Sequence, residues 1–376
     1  MFTFPLDPKD LFAERSVQFR GWGIPVRTIS AARRSIDDAW RDGPGGWTFE
    51  WEKHARAAEE KESWLEAANL HGAAKFPVVC TESRRAALQS QLDCYLRASS
   101  SFDTGFARHL LELPYRGGKT SAAVHRFWPK GEAEPGSLPL LCLSGGVDMF
   151  KMETHRIATI FARMGGLEVV VLDMPGTGES QIALAADADE IYRGVLEHFA
   201  PPPRKRAIFG ISFGGHWAAK LGLAGAVDAA INCGGPIGEA SPSGDALLRL
   251  PNGMTGIVGN ALRLEQLPSA AETNAFIANF SLRAQGLLPP KHPAAMLVVN
   301  GSNDQYIPRP NTTVFRQVPG ATVWVVRDAT HCAAERFPRL MPGMLAWLRL
   351  QLLGESALHR LEMGVAELVL PPLEAP

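Results

Sequence analysis

The stretch Ala207-Ile208-Phe209-Gly210-Ile211-Ser212-Phe213-Gly214-Gly215-His216 decides the fold of this chain. A short apolar run leads into Gly-x-Ser-x-Gly, and an Ala-rich pattern of helical period follows as far as Leu223. That order describes a strand, a sharp turn and a helix, with Ser212 at the apex. The glycines have a mechanical role. A residue on so tight a turn takes a strained backbone, and side chains at Gly210 and Gly214 would strike the neighbouring strand and helix. The same letters also occur in Gly-rich turns that carry a solvated serine. The strand and helix signals on either side favour the first reading.

Around this turn, apolar strands alternate with amphipathic helices. Strand patterns occupy residues 121–128, 138–143, 167–172, 227–232, 295–300 and 322–326, and helical ones residues 155–164, 187–199, 311–317 and 336–352. Such alternation implies a mostly parallel sheet with helices on both faces. Before it, residues 1–115 read as a helical N-terminal cap domain, with helices at 30–40, 47–70 and 83–99. Trp40, Trp47, Trp51 and Trp64 are expected to pack between these helices; lining a ligand cavity is the alternative. From residue 237 to 291 the alternation stops, over a length too great for an ordinary loop, and a lid is expected there. The expected order is therefore cap 1–115, core 116–236, lid 237–291, core 292–354 and a tail at 355–376. That tail docks on the surface in this reading, with mobile Pro-rich last residues.

The chain has 376 residues, 46% of them hydrophobic, which supports one large core and an accessory domain. A formal net charge of -1 gives no sign of a nucleic-acid or membrane surface. No apolar run approaches the roughly 18 residues of a membrane span. Met1-Phe2-Thr3-Phe4-Pro5-Leu6-Asp7-Pro8 lacks the basic and apolar regions of a signal peptide. Five scattered cysteines read as reduced thiols, which points to the cytoplasm, and none has zinc-site spacing. Met174-Pro175-Gly176-Thr177-Gly178-Glu179-Ser180 lacks the ending of a phosphate-binding loop, and no dinucleotide fingerprint is present. No cofactor or metal is expected. The expected partner is a small-molecule substrate, and a homodimer is left open.

Two further segments complete a constellation. The strand Met296-Leu297-Val298-Val299-Asn300 runs into Gly301-Ser302-Asn303-Asp304, and Val323-Trp324-Val325-Val326 runs into Arg327-Asp328-Ala329-Thr330-His331. Both place a polar group past a strand, at the sheet edge that carries Ser212. The order Ser212, Asp304, His331 is that of an α/β-hydrolase, and this fold class, with the helical N-terminal domain and inserted lid, is the one expected. A serine hydroxyl attacks poorly until a base takes its proton. Neutral His331 can do so, and Asp304 would orient the imidazole and support its charged form. Asp328 is the rival acid, although it lies very close to His331 in sequence. The oxyanion hole is expected from the Phe213 N–H and from the turn Ser144-Gly145-Gly146-Val147-Asp148, with Val147 the first choice and Gly146 the next. Asp148 either faces the site or caps the following helix. Glu239, at the lid entrance, either adds an acid or is solvated. His216 is expected to pack beneath the turn.

Residues 143–148, 172–180, 210–215 and 328–332 together resemble the esterase family that includes the fermentation–respiration switch protein. Its relatives include 2,6-dihydroxypseudooxynicotine hydrolase and fungal hydrolases that shorten polyketides. The resemblance implies the triad named above and a helical region before the sheet. It also implies cleavage of an ester or of a C–C bond beside a ketone, in a polyketide-like or aromatic metabolite. One relative uses an additional glutamate soon after the elbow, and Glu239 is the residue offered here. Two other outcomes fit the same residues: elimination of an acyloxy group by a lyase, and acyl transfer. A non-catalytic binding protein is the alternative from another class.

Overall fold

The computed structural model describes residues 1–131, 136–239 and 247–375. An eight-stranded sheet runs through the molecule in the order β1-β2-β4-β3-β5-β6-β7-β8. Strands β1 (Thr104–Tyr115) and β2 (Gly118–Pro129) form an antiparallel hairpin, and β2 is antiparallel to β4 (Glu168–Leu172). From β4 onward, β3 (Leu140–Ser144), β5 (Arg206–Ile211), β6 (Ala229–Cys233), β7 (Ala295–Gly301) and β8 (Ala321–Val326) are parallel. The central strands are buried along almost their whole length, and their sequences are accordingly unbroken apolar runs.

The period of two assigns each strand residue to a face. Leu141, Leu143, Val169, Val171 and Phe209 pack toward α6 (His155–Gly165) and α11 (Phe337–Leu353). Leu140, Cys142, Val170 and Ile208 pack toward α7 (Asp189–Phe199) and α8 (Gly214–Leu223). Between β6 and β7 lie α9 (Met254–Ala261) and α10 (Ala270–Phe280), in the segment expected to be a lid. Residues 240–246 of that segment lie outside the described residues. Among the described residues no helix is long and apolar enough to cross a membrane.

The N-terminal region is helical: α1 (Pro8–Trp22), α2 (Val26–Ser35), α3 (Trp47–Glu59), α4 (Trp64–Lys75) and α5 (Glu82–Ala98). Several expectations need correction. Helix α1 was not foreseen, although Asp7 caps it and Pro8 opens it. The long helix at 47–70 is two helices, because Glu62 takes a left-handed backbone and the chain turns there. The helical reading also fails before residue 115, since residues 104–115 form strand β1. This is the sheet's edge strand, with its middle half-exposed, so its apolar residues lack the clean run of the inner strands. The tail docks on the surface, as expected, but its Pro-rich end is held as well. After α12 (Ala357–Glu367), Leu373 bridges to Val326, and the Glu374 N–H donates to the Val325 carbonyl at 2.8 Å.

Trp47 and Trp51 are fully buried and pack with Phe12 and Phe19; Trp47 also meets Phe76. The Trp47 indole N–H donates to the Ala73 carbonyl at 2.7 Å, whereas that of Trp51 is buried with no acceptor among the described residues. These rings therefore build the core of the N-terminal region, and neither lines the cavity described below. Replacing Trp51 by Ala is expected to destabilise the protein by about 3–5 kcal/mol. Trp51→Phe is expected to cost less than about 1.5 kcal/mol, since no hydrogen bond is lost. Urea unfolding followed by circular dichroism measures both.

Candidate active site

Strand β5 ends at Ile211, and Ser212 takes a left-handed backbone with φ of 56°. Its N–H donates to the Cys233 carbonyl at 2.8 Å, which fastens the turn to β6. The tightness explains the flanking glycines. A Cβ on Gly210 would lie 1.9 Å from the Gly214 carbonyl oxygen, and one on Gly214 would lie 2.4 Å from that of Gly145.

The side chains of Ser212, His331 and Asp304 form one hydrogen-bonded chain. His331 Nε2 lies 2.8 Å from Ser212 Oγ, and Nδ1 lies 2.7 Å from Asp304 Oδ2. Asp304 Oδ1 accepts from the N–H groups of Tyr306 at 2.7 Å and Ile307 at 3.1 Å. Asn300, the penultimate residue of β7, joins the two loops. Its Nδ2 donates to Asp304 Oδ2 at 2.8 Å, and its Oδ1 accepts from the Cys332 N–H at 3.0 Å. Asp328 is exposed on its turn and takes no part.

Burial opposes a charge on Asp304, but His331 and the hydrogen bonds from Tyr306 and Asn300 outweigh it and hold the carboxyl below its ordinary value. Burial likewise opposes a charge on His331. The Cys332 sulfur and the Asp304 carboxylate act the other way, and the balance lies well above the ordinary imidazole value. Burial pushes the Cys332 thiol itself far up, so near neutral pH Asp304 is the anion that supports the imidazolium.

Gly146 sits directly against the serine: a Cβ there would lie 2.7 Å from Ser212 Cβ and 2.9 Å from Oγ. Among the described residues, the N–H groups of Val147 and Phe213 have no hydrogen-bond acceptor. Both residues line a cavity of about 130 Å³ whose floor includes Ser212 and His331. Met254, Val258, Phe276 and Phe280 of the lid form much of its apolar wall. No residue of the helical N-terminal region lines it, so the lid, rather than those helices, covers Ser212.

A family model described as Esterase FrsA-like matches residues 27–327. The chain belongs to the FrsA-like esterase family. It is 28% identical over 289 residues to Esterase FrsA of Yersinia pestis (strain Pestoides F), an alignment that covers 70% of this chain and 67% of the relative. Among solved structures, wild-type AbyA5 superposes with a TM-score of 0.74 at 21% identity, covering 91% of this chain and 94% of that one. The 2,6-dihydroxy-pseudo-oxynicotine hydrolase gives 0.71 at 19% identity, covering 90% and 95%. The family is one of esterases, so the protein is an enzyme of the hydrolase class, and these comparisons give the lyase alternative no support.

For Asp148 and Glu239 of this FrsA-like esterase, the site-facing alternative fails. Neither Asp148 nor Glu239 lines the cavity. Glu239 is held by Arg283, Nε to Oε1 at 2.8 Å and Nη2 to Oε2 at 3.0 Å, which ties the lid entrance to the end of the lid. Asp148 is buried and pairs with Arg15 of α1, Nη2 to Oδ2 at 3.0 Å. His216 packs in the core, as expected. Burial lowers its pKa to about 4, and its Nδ1 faces the Pro236 carbonyl at 2.9 Å.

Sequence reasoning missed how the N-terminal helices grip the loop that carries Val147. Besides Arg15, Lys75 of α4 lies 3.0 Å from Glu153, which also accepts from Gln91 of α5 at 2.6 Å. From within the loop, Lys151 pairs with Asp173 at 2.6 Å and Glu179 at 2.7 Å. Arg15 also lies over Tyr306, 5.7 Å from the ring centre, and the Tyr306 ring meets His331 edge-on. The neighbouring Glu14 accepts from the Tyr306 hydroxyl at 2.5 Å. No local motif announces such partners, because charged residues at helical spacing read as a solvated face. Elsewhere, Glu59, His71 and Cys94 converge, with donor atoms within 4.8 Å of one another. Among the described residues, however, the buried second ring nitrogen of His71 has no partner, and a metal-bound imidazole needs one there. The contact is a hydrogen bond between His71 Nε2 and Glu59 Oε1 at 2.5 Å.

Arg15→Met is expected to leave Asp148 buried without its partner, at about 3–5 kcal/mol in stability. Arg15→Met/Asp148→Leu is expected to regain most of that. If the pair positions the loop, turnover of the double variant still falls on the order of tenfold with little change in KM. Unfolding and steady-state kinetics on the three proteins decide it.

Proposed function

We propose that this FrsA-like esterase is a serine hydrolase acting through Ser212, His331 and Asp304, and that an ester is its substrate. The observation that supports the reading is the hydrogen-bonded chain from Asp304 to Ser212 Oγ at the floor of an apolar cavity. In this mechanism His331 Nε2 takes the serine proton as Oγ attacks the carbonyl carbon. The charge that develops on the carbonyl oxygen is met by the N–H groups of Phe213 and Val147. Collapse of the tetrahedral intermediate expels an alkoxide, which takes the proton from His331. Water then attacks the acyl-enzyme, with His331 as base again, and Ser212 leaves.

Cavity size and lining point to the substrate. A cavity of about 130 Å³ is on the order of one that holds a single benzene ring. An aromatic ring or a short acyl chain next to the carbonyl fits it. Cleavage of a ketone-activated C–C bond in a polyketide-like or aromatic metabolite is the second reading. It needs a leaving carbanion that is delocalised or protonated as it forms. Glu239 is tied to Arg283, and the one carboxylate among the described lining residues, Glu272, accepts hydrogen bonds from Ser269 at the start of α10. An ester needs no further acid, which favours it.

Ser212→Ala is expected to lower hydrolysis of aryl and short-chain esters by at least about 10³-fold and to abolish labelling by a fluorophosphonate. Turnover that survives the substitution would point to elimination. Release of a carbanion-derived product from a β-diketone, with no ester hydrolysed, would favour the C–C reading.

The pH dependence has a definite sign. Attack needs neutral His331, and its pKa lies above the ordinary 6.5. Activity is therefore expected to fall as pH drops through a value above 6.5. Asp304→Asn is expected to move that limb to lower pH and to reduce kcat by on the order of 10⁴. Rate profiles of kcat/KM between about pH 5 and 9 measure both.

A further inference from the structure

Helix α9 supplies part of the cavity wall, yet its sequence gives it little reason to be a helix. It has eight residues, far short of the roughly 12–15 that an isolated helix needs. Two of them, Gly256 and Gly259, are the poorest helix formers after proline. The helix opens on Gly253, which has a left-handed backbone and makes no side-chain cap. Its order must therefore come from packing. The two ends are tied. Asn252 Nδ2 donates to the Tyr306 hydroxyl at 3.1 Å, and the Ala261 carbonyl accepts from the Leu184 N–H at 2.9 Å. The middle is held by the segment ahead of α1. Phe2 and Phe4 lie across the glycines: a Cβ on Gly256 would stand 2.2 Å from Phe4 Cγ, and one on Gly259 3.1 Å from Phe2 Cζ. Asn260 brackets the Phe2 backbone, accepting from its N–H and donating to its carbonyl, both at 2.9 Å. The segment is itself anchored. The Trp40 indole N–H donates to the Phe4 carbonyl at 2.6 Å, the two rings meet edge-on, and the Arg84 guanidinium lies over Trp40.

We propose that Phe2, Phe4 and Asn260 are positioning residues that set acyl-chain selectivity: residues 2–4 form a strap that keeps α9 helical, and α9 in turn fixes the depth of the cavity. The inference rests on the ester-hydrolase reading given above. The two faces of α9 carry the argument. At about 100° per residue, Gly256, Gly259 and Asn260 point roughly 150° away from Met254, Thr255 and Val258. The first set meets the strap, and the second lines the cavity over Ser212. The strap thus touches no substrate, yet it backs the wall that substrate meets. With the Phe4 ring gone, the glycine face loses its packing and the helix loses the interaction that orders it. Met254 and Val258 then no longer hold one position, and the cavity admits acyl chains that the ordered wall turns away.

Two measurements on the full chain test this: amide hydrogen exchange, and steady-state kinetics with p-nitrophenyl butyrate and octanoate. In Phe4→Ala, exchange across residues 254–261 is expected to quicken at least about tenfold, with β5 and α8 unchanged. The ratio of kcat/KM for butyrate over octanoate is expected to fall at least about fivefold, through KM, with kcat for butyrate kept within about twofold. Asn260→Ala is expected to act in the same direction. Alanine is the better helix former, so faster exchange in that variant comes from the lost strap and not from helix propensity. In Phe4→Ala/Gly256→Leu the new side chain grows into the place of the Phe4 ring, and both readouts are expected to return toward wild type. Unchanged exchange in α9 of both single variants overturns the strap. Faster exchange with an unchanged butyrate-to-octanoate ratio overturns its role in selectivity, as does an equal loss of kcat on both esters. A wild type that neither turns over esters nor reacts with a fluorophosphonate at Ser212 overturns the hydrolase reading and the selectivity with it, while the exchange result still judges the strap.

Discussion

The turn at Ser212 holds a backbone that most residues avoid, and the rest of the site is arranged around keeping it there. A left-handed residue of this kind costs on the order of 1–3 kcal/mol. The Ser212 N–H bonded to Cys233 offsets part of this, and the start of α8 fixes the chain beyond it. Gly210 and Gly214 bring strand, helix and the β3 loop closer than any Cβ would allow. That approach is what sets Gly146 against Ser212 Oγ and leaves the Val147 and Phe213 N–H groups at the cavity. The strain, the glycines and the candidate oxyanion hole are thus one constraint seen from three sides.

The loop after β3 must then stay where the turn needs it. Three buried acids, Asp148, Glu153 and Asp173, answer Arg15, Lys75 and Lys151 in and around that loop. Ion pairs of this kind are weak sources of stability, because desolvating both partners offsets their attraction. Apolar residues of similar volume would hold the region as well, but they would also let it slide. Pairs at about 3 Å fix a register between elements far apart in sequence. The N-terminal helices therefore act on the site from behind, as a buttress. The roof is left to the lid.

The parts legible in the sequence share one property: their chemistry is local. Gly210 to Gly214 announce a turn, and Asp304 and His331 each follow an apolar strand by a few residues, so the strand-end rule places them. The buried strands were readable because both faces are covered and the apolar run is continuous. Strand β1 was not, because an edge strand with a half-exposed face lacks that run. Arg15, Lys75 and Asn300 were not, because their meaning lies in partners many residues away. The partners of Asp148 and Glu239 were hidden for the same reason. A carboxylate near a site looks like a ligand contact until its cation is found, and here the cations are Arg15 and Arg283.

The lid sets a limit on what such a site can discriminate. Its wall is built from side chains such as Met254, Val258, Phe276 and Phe280, and the hydrogen-bonding groups of the proposed reaction sit at the Ser212 end. Apolar walls reject a substrate by shape alone, and one methylene more or less is worth only about 1–3 kcal/mol. Polar recognition would give far steeper selection, but most of the lining offers no polar partner. For the proposed hydrolysis, selection then rests on two things: whether the group beside the carbonyl fills the cavity, and how readily the other side of the bond departs. Changes in α9 and α10 would retune the first without touching the sheet. The second is fixed by the Ser212–His331 geometry, which the N-terminal buttress holds.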